Sequence, residues 1–178
     1  VPLVPREFTS MAGAAGAIAA DGTVTVSGAL ARDTYSVKAS LPAAGGRVTA
    51  FRLEALTDEA LPHKGPGRAG NGNFVLSTFA VLAGPPEAPA AVRFAGGKAD
   101  FEQPKYAAAN ALDDKPETGW AVAGGIGRPH EAVFTVHPDA VLPSGSAVTI
   151  TLDQQYGDGQ HALGKFRISV IQEAPPAP

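Results

Sequence analysis

The segment Asn110-Ala111-Leu112-Asp113-Asp114-Lys115-Pro116-Glu117-Thr118-Gly119-Trp120 packs carboxylates and a threonine into a short loop that then delivers the chain's one tryptophan. Calcium takes about six to eight hard oxygen ligands, backbone carbonyls among them, so a tight turn rich in Asp and Thr can wrap the ion without a helix. Asp113 and Thr118 are the side-chain ligands such a site would use. The same residues also suit an Asx-type turn closed by its own hydrogen bonds, with Trp120 as a core plug.

A second polar loop, Asp153-Gln154-Gln155-Tyr156-Gly157-Asp158-Gly159-Gln160-His161, sets one aromatic ring among amides, carboxylates and a histidine. Sugar sites combine an aromatic platform for the apolar face of a pyranose with a few polar groups that fix its orientation. Tyr156 is the favoured platform, because its neighbours and the following glycines place it in an exposed loop. Trp120 and Tyr106 are the other aromatic candidates, and Gln154 and His161 the polar partners. A third loop, residues 65–73, reads two ways. Its Arg68, Asn71 and Asn73 offer directional donors to sugar hydroxyls, or they serve turns, with Arg68 anchoring the loop on carbonyls.

Catalytic patterns do not emerge. No Gly-x-Ser-x-Gly elbow is present, Gly96-Gly97-Lys98 lacks the spacing and hydroxyl of a phosphate loop, and no dinucleotide fingerprint occurs. His63, His130, His137 and His161 lack metal-ligand spacing, and His130-Glu131 has no second histidine. Adjacent carboxylates such as Asp113 and Asp114 point to opposite faces if extended. The expectation is a binding protein, not an enzyme.

The elements that must position these loops are strands. Short runs rich in strand formers recur at 23–26, 34–37, 48–56, 74–81, 92–94, 132–136, 147–152 and 165–171, with turn signals between them. Val148, Ile150 and Leu152 alternate with Thr149, Thr151 and Asp153, the period of a strand with one face buried. Residues 106–112 suit a short helical turn at most, and no longer stretch past residue 22 carries an apolar stripe of helical period. Phe51-Arg52-Leu53 is echoed by Phe166-Arg167-Ile168. The fold class predicted is all-β: an antiparallel two-sheet β-sandwich with jelly-roll topology.

Composition bounds the rest. The 178 residues suit one domain or two very small ones, and a single domain of this size buries roughly 70% of its unfolded surface without metal or disulfide staples. A net charge of -3 with scattered signs gives no field to draw a polyanion, so nucleic acid is not an expected partner. No apolar run nears the roughly 20 residues that a membrane-crossing helix needs. The absence of cysteine removes thiolate zinc sites, iron–sulfur clusters and covalently attached haem from this chain. At the ends, Leu3-Val4-Pro5-Arg6 resembles a thrombin recognition sequence and Glu7-Phe8 a cloning scar. Residues 1–8 are accordingly set apart from the fold. Residues 9–21 read as a flexible lead-in or one short helix, 22–173 as one sandwich module, and 174–178 as a proline-rich linker. Within the module, halves 22–83 and 92–173 are joined by the proline-rich stretch 84–91.

The loop ending in Trp120 resembles the signature of the discoidin, or coagulation factor 5/8 type C, branch of the galactose-binding-like fold. Ala111, Leu112, Asp113, Thr118 and Trp120 match that pattern, and Asp114 stands where it has glycine. The resemblance implies a jelly roll, a structural calcium at this loop, and ligand-binding loops at the same end.

A broader stretch is similar to a domain of large planctomycete proteins that also carry a c-type cytochrome domain. Phe51-Arg52-Leu53-Glu54-Ala55-Leu56, Gly65-Pro66-Gly67-Arg68, Asn71-Gly72-Asn73-Phe74-Val75-Leu76, Ala99-Asp100-Phe101, Thr118-Gly119-Trp120-Ala121-Val122 and His161-Ala162-Leu163-Gly164-Lys165-Phe166-Arg167 carry this likeness. It implies a non-catalytic, extracytoplasmic carbohydrate-binding module of a larger protein, whose other domains would be its neighbours. The resulting expectation is a polysaccharide or oligosaccharide bound by Tyr156, Trp120, Arg68, Asn73, Gln154 and His161. The alternative expectation is a structural or protein-interaction domain that packs within its parent.

Overall fold

The computed structural model describes residues 1–174; the linker assigned to 174–178 lies, except for its first residue, outside the described residues. Among the described residues eleven strands form in chain order: β1 Glu7–Ser10, β2 Ala15–Ile18, β3 Val24–Ser27, β4 Asp33–Ser40, β5 Arg47–Ala55, β6 Thr78–Ala83, β7 Ala90–Ala91, β8 Phe94–Ala99, β9 His130–Val136, β10 Ala147–Gln154 and β11 Lys165–Glu173. They build two antiparallel sheets, ordered β1-β4-β10-β6-β7 and β2-β3-β11-β5-β9-β8. The chain passes from one sheet to the other between β1 and β2, β3 and β4, β4 and β5, β5 and β6, β7 and β8, β9 and β10, and β10 and β11. The sheets pack as the expected all-β sandwich. Among the described residues no helix is long and apolar enough to cross a membrane.

Alternation explains the layers. Along β10, Val148, Ile150, Leu152 and Gln154 are buried, and the residues between them are half-buried on the outer face. On β4, Asp33, Tyr35, Val37 and Ala39 turn inward opposite them. The other sheet contributes Phe51, Leu53, Phe134, Phe166, Ile168 and Val170 to the shared core. Phe79 stacks on Phe134 with centroids 4.3 Å apart, and Phe51 and Phe94 tilt against that pair. Each such buried apolar side chain is worth about 1.5–3 kcal/mol relative to its exposed state. The echoed motifs lie side by side, since β5 and β11 are antiparallel neighbours with Leu53 opposite Ile168.

The expected strands at 74–81 and 92–94 form instead as β6 and β8, β7 falls within the stretch read as a joint at 84–91, and two terminal assignments also differ from the sequence reading. Residues 1–8 are not apart from the fold. Val170 N–H donates to the Val1 carbonyl, Leu3 N–H donates to Ile168, and Leu3 is only 3% exposed. Phe8 packs edge-on against Tyr35 at 5.1 Å. The lead-in at 9–21 is likewise built into both sheets as the end of β1 and the whole of β2. Its small residues have a packing cause, because a Cβ at Gly16 would collide with the Phe8 ring.

On the outer face of the second sheet, Glu54 and Glu131 stand opposite each other across β5 and β9. Arg167 relieves this repulsion by gripping Glu54 with Nε at 2.7 Å and Nη2 at 3.1 Å. That hydrogen bond holds the Glu54 carboxyl below its usual range. A depressed carboxylate stabilises the fold fully above the ordinary glutamate value of about 4.3, and the contribution is lost as pH falls through the lower folded value. The expected outcome is a Glu54→Gln variant whose stability declines less steeply than wild type in acid, read from urea melts at stepped pH. Identical acid limbs would contradict this role.

Candidate functional site

Three loops meet at one end of the sandwich: residues 28–32 after β3, 65–76 before β6, and 155–164 between β10 and β11. Backbone bonds tie the second to the third, with Arg68 N–H donating to Ala162 at 2.8 Å and Val75 N–H to His161 at 3.1 Å. Two arginines tie in the first. Arg68 donates to the carbonyls of Ala29 at 2.8 Å and Gly28 at 2.7 Å, and Arg32 donates to Gly157 at 2.8 Å. Arg68 is therefore a loop anchor, the second of its two sequence readings. Below it Tyr35 donates to the Leu163 carbonyl at 2.9 Å. Burial pushes the Tyr35 hydroxyl up to about 12, against the partial opposition of the Arg68 charge.

Tyr156 keeps 37% of its surface on this scaffold. Its ring meets His161 edge-on, centroids 4.6 Å apart. His161 Nδ1 lies 2.8 Å from Asp158 Oδ1, so the carboxylate accepts the Nδ1 proton and fixes the ring's orientation. Burial pushes the Asp158 carboxyl up, but the bonds from His161 and the Gln160 backbone N–H outweigh it and hold the group below its usual value. The result is a half-exposed aromatic ring beside an oriented imidazole, on a loop whose ends are fixed.

Three expected sugar contacts are corrected. Trp120 is fully buried, packed edge-on against Phe74 at 5.0 Å, with Nε1 donating to the Phe101 carbonyl at 2.9 Å. A ring enclosed in the core cannot serve as a platform. Asn73 is 3% exposed and its amide is consumed internally: Nδ2 donates to Gln103 Oε1 and Oδ1 accepts from Val122 N–H, both at 3.0 Å. Gln154 is 2% exposed, its Oε1 accepts from Leu163 N–H, and its Nε2 is buried without a partner. These amides hold the loops in place from within. The sequence carried a signal for this in Gln154, which falls in phase with Val148, Ile150 and Leu152 and so must point inward.

The loop 110–118 brings oxygens together. Thr118 Oγ1 lies 2.6 and 2.8 Å from the two Asp113 oxygens, 3.2 Å from the Lys115 carbonyl and 3.4 Å from that of Asn110. Lys115 N–H also donates to Asp113 Oδ1 at 2.9 Å, which closes an Asx turn. The donors are all hard oxygen, the set that suits calcium, and only one carboxylate is among them. Asp114, where the discoidin pattern has glycine, adopts φ 59°, a left-handed conformation that Asp tolerates better than most residues. Among the described residues no group of three or more His, Asp or Glu converges as a metal site.

No protein-family model, curated protein or solved structure matches the chain. The functional reading therefore rests on these residues and their geometry.

Proposed function

We propose that the chain is a non-catalytic carbohydrate-binding module of the galactose-binding-like type, with Tyr156 as the platform for a sugar ring. The observation that carries the reading is the Tyr156–His161–Asp158 arrangement on a cross-tied loop. The exposed part of the phenol ring would meet C–H groups of a pyranose, with His161 beside it as a hydroxyl partner. Preorganisation matters because a small hydrated ligand buries little apolar surface and cannot offset loop ordering. Tyr156→Ala is expected to weaken a bound oligosaccharide about tenfold or more in calorimetric titration, with unfolding stability changed by no more than about 0.5 kcal/mol, as for other exposed sites. Undiminished affinity in that variant would remove Tyr156 from the site. The reading places the module outside the cytoplasm, in a larger protein whose other domains supply any redox chemistry.

We propose a structural calcium at the 110–118 loop, which Asp113, Thr118 and the carbonyls of Asn110 and Lys115 would hold. The ion would stiffen the turn that leads into Trp120. Millimolar calcium is expected to raise the melting midpoint, chelator to reverse the rise, and Asp113→Ala to abolish it, since a ligand that binds only the native state stabilises it. A wild-type midpoint indifferent to calcium would contradict the assignment.

A second reading, a domain that packs against other parts of its parent, is favoured by one feature at the opposite end. Ala90, Ala91, Val92, Ala140, Val141 and Leu142, with the Arg93–Asp139 ion pair, line a mixed groove of about 580 Å³ in which Val141 is 84% exposed. Groups of exposed apolar side chains of this kind mark interaction surfaces.

A further inference from the structure

The loop 62–72 and the glycine-rich turn 124–127 flank an open surface cleft of about 490 Å³ lined by the exposed His63, Lys64 and Asn71 and the half-buried Ile126. The two are fastened by Gly127 N–H, which donates to the Gly65 carbonyl at 2.8 Å. His63 and Lys64 stand consecutively at φ 49° and 68°, in a region that glycine enters freely and L side chains rarely adopt. The same loop already uses glycine at 65, 67, 70 and 72. Two side chains are thus held where glycine would sit with less strain, and strain fixed by its surroundings collects at ligand sites.

The lining has one chemical character. Lys64 presents an ammonium group and His63 a ring with N–H donor capacity. Asn71 Oδ1 already accepts from Asn73 N–H at 3.0 Å, which leaves its amide nitrogen as the free end. None of the four lining residues is a carboxylate, and Ile126 supplies an apolar floor. Glu59 pairs with Lys64 at 3.4 Å, but both partners are exposed. Such a contact is worth little in water and can be exchanged for a ligand anion.

We propose that this cleft is a second ligand site, separate from the Tyr156 loop, for an oxyanion-bearing sugar unit. A carboxylate or sulfate ester would pair with Lys64, Asn71 and His63 would donate to the anion and a neighbouring hydroxyl, and the apolar face of the pyranose would lie on Ile126. The sugar part rests on the glycan-binding reading; the anion part rests on the cleft alone.

The test is amide chemical-shift mapping of the whole chain with four probes: oligogalacturonate, a sulfated galactan oligomer, a neutral galactan oligomer and inorganic sulfate. The expected result is saturable movement of His63, Lys64, Asn71 and Ile126 with one or both charged oligomers, which separates carboxylate from sulfate. Lys64→Met should weaken that response tenfold or more. His63→Gly and Lys64→Gly should leave the melting midpoint unchanged or higher while losing the response.

No response to either charged oligomer overturns the proposal, and so does an equal response to the neutral one. Inorganic sulfate that matches the oligomers overturns the sugar assignment. A midpoint several degrees lower in the glycine variants would assign His63 and Lys64 to the fold instead. Neutral oligomers that move only the Tyr156 loop, with silent charged probes, would sink this site and leave the glycan reading standing.

Discussion

Trp120→Ala is expected to lower unfolding stability by about 3–5 kcal/mol, the range for truncating a large buried aromatic side chain. The indole is fully buried, and its removal opens a cavity against Phe74 and leaves the Phe101 carbonyl without the Nε1 donor. It also loosens the bridge between Leu76 and Trp120, where each N–H donates to the other's carbonyl at 2.9 Å. Trp120→Phe should recover part of the loss, because it keeps a ring but not the donor. Denaturant melts check both. Alanine tolerated with a change under about 1 kcal/mol, the range of surface sites, would mean that Trp120 is not the plug the packing makes it. Set against the small stability effect expected for Tyr156→Ala, this pair separates the aromatic that builds the loop end from the one that faces solvent.

Gly67→Ala should be comparably severe for a different reason. A Cβ there would coincide with the Asn73 carbonyl and crowd the Phe74 nitrogen. Backbone cannot yield as a flexible side chain can, so the hairpin must open. Overpacking commonly costs about 1–3 kcal/mol, and a clash with a backbone peptide unit should reach about 3 kcal/mol or more. The Gly67 N–H bond to Gly72 and the bridge to Leu163 would go with it, and the 65–76 loop would no longer brace the 155–164 loop. Melts report the loss directly, and amide exchange should show it concentrated in residues 65–76 and 161–164. A soluble, wild-type-like Gly67→Ala protein would contradict the close approach.

The same contrast shows what the residues alone could convey. Period-two alternation in Val148, Ile150 and Leu152 is a local consequence of strand geometry, so β10 and the sandwich class were legible. So was the short turn at Ala108–Leu112, where no apolar stripe supports a longer helix. β1 and β2 were not. Their Ala/Gly-rich stretch has almost no periodicity, and only the third dimension reveals that small residues there make room for Phe8. Leu3 was hidden by the likeness of its neighbours to a tag sequence.

At the site, the glycines around Tyr156 correctly pointed to an exposed loop, because backbone freedom is a local property. Burial is not. Trp120 and Asn73 look like ligand contacts by residue type, yet they are enclosed by Phe74, Phe101, Gln103 and Val122, distant in sequence. Polar type gives the chemistry of a side chain but not the direction in which it spends its hydrogen bonds. Arg68 is the clearest case, since its guanidinium can serve a sugar or a carbonyl, and two carbonyls claim it.

Sugar binding at the Tyr156 loop end is the proposal on which the module reading depends. Its most direct test is amide and aromatic chemical-shift mapping of the whole chain against a panel of neutral oligosaccharides, with the Tyr156 ring signals followed throughout. Saturable shifts at Tyr156, His161 and residues 155–160 are expected with at least one member of the panel, and none in Tyr156→Ala. Shifts confined to the groove at Ala90, Ala91 and Ala140–Leu142, or no shifts with any member, would contradict it and favour the parent-packing role.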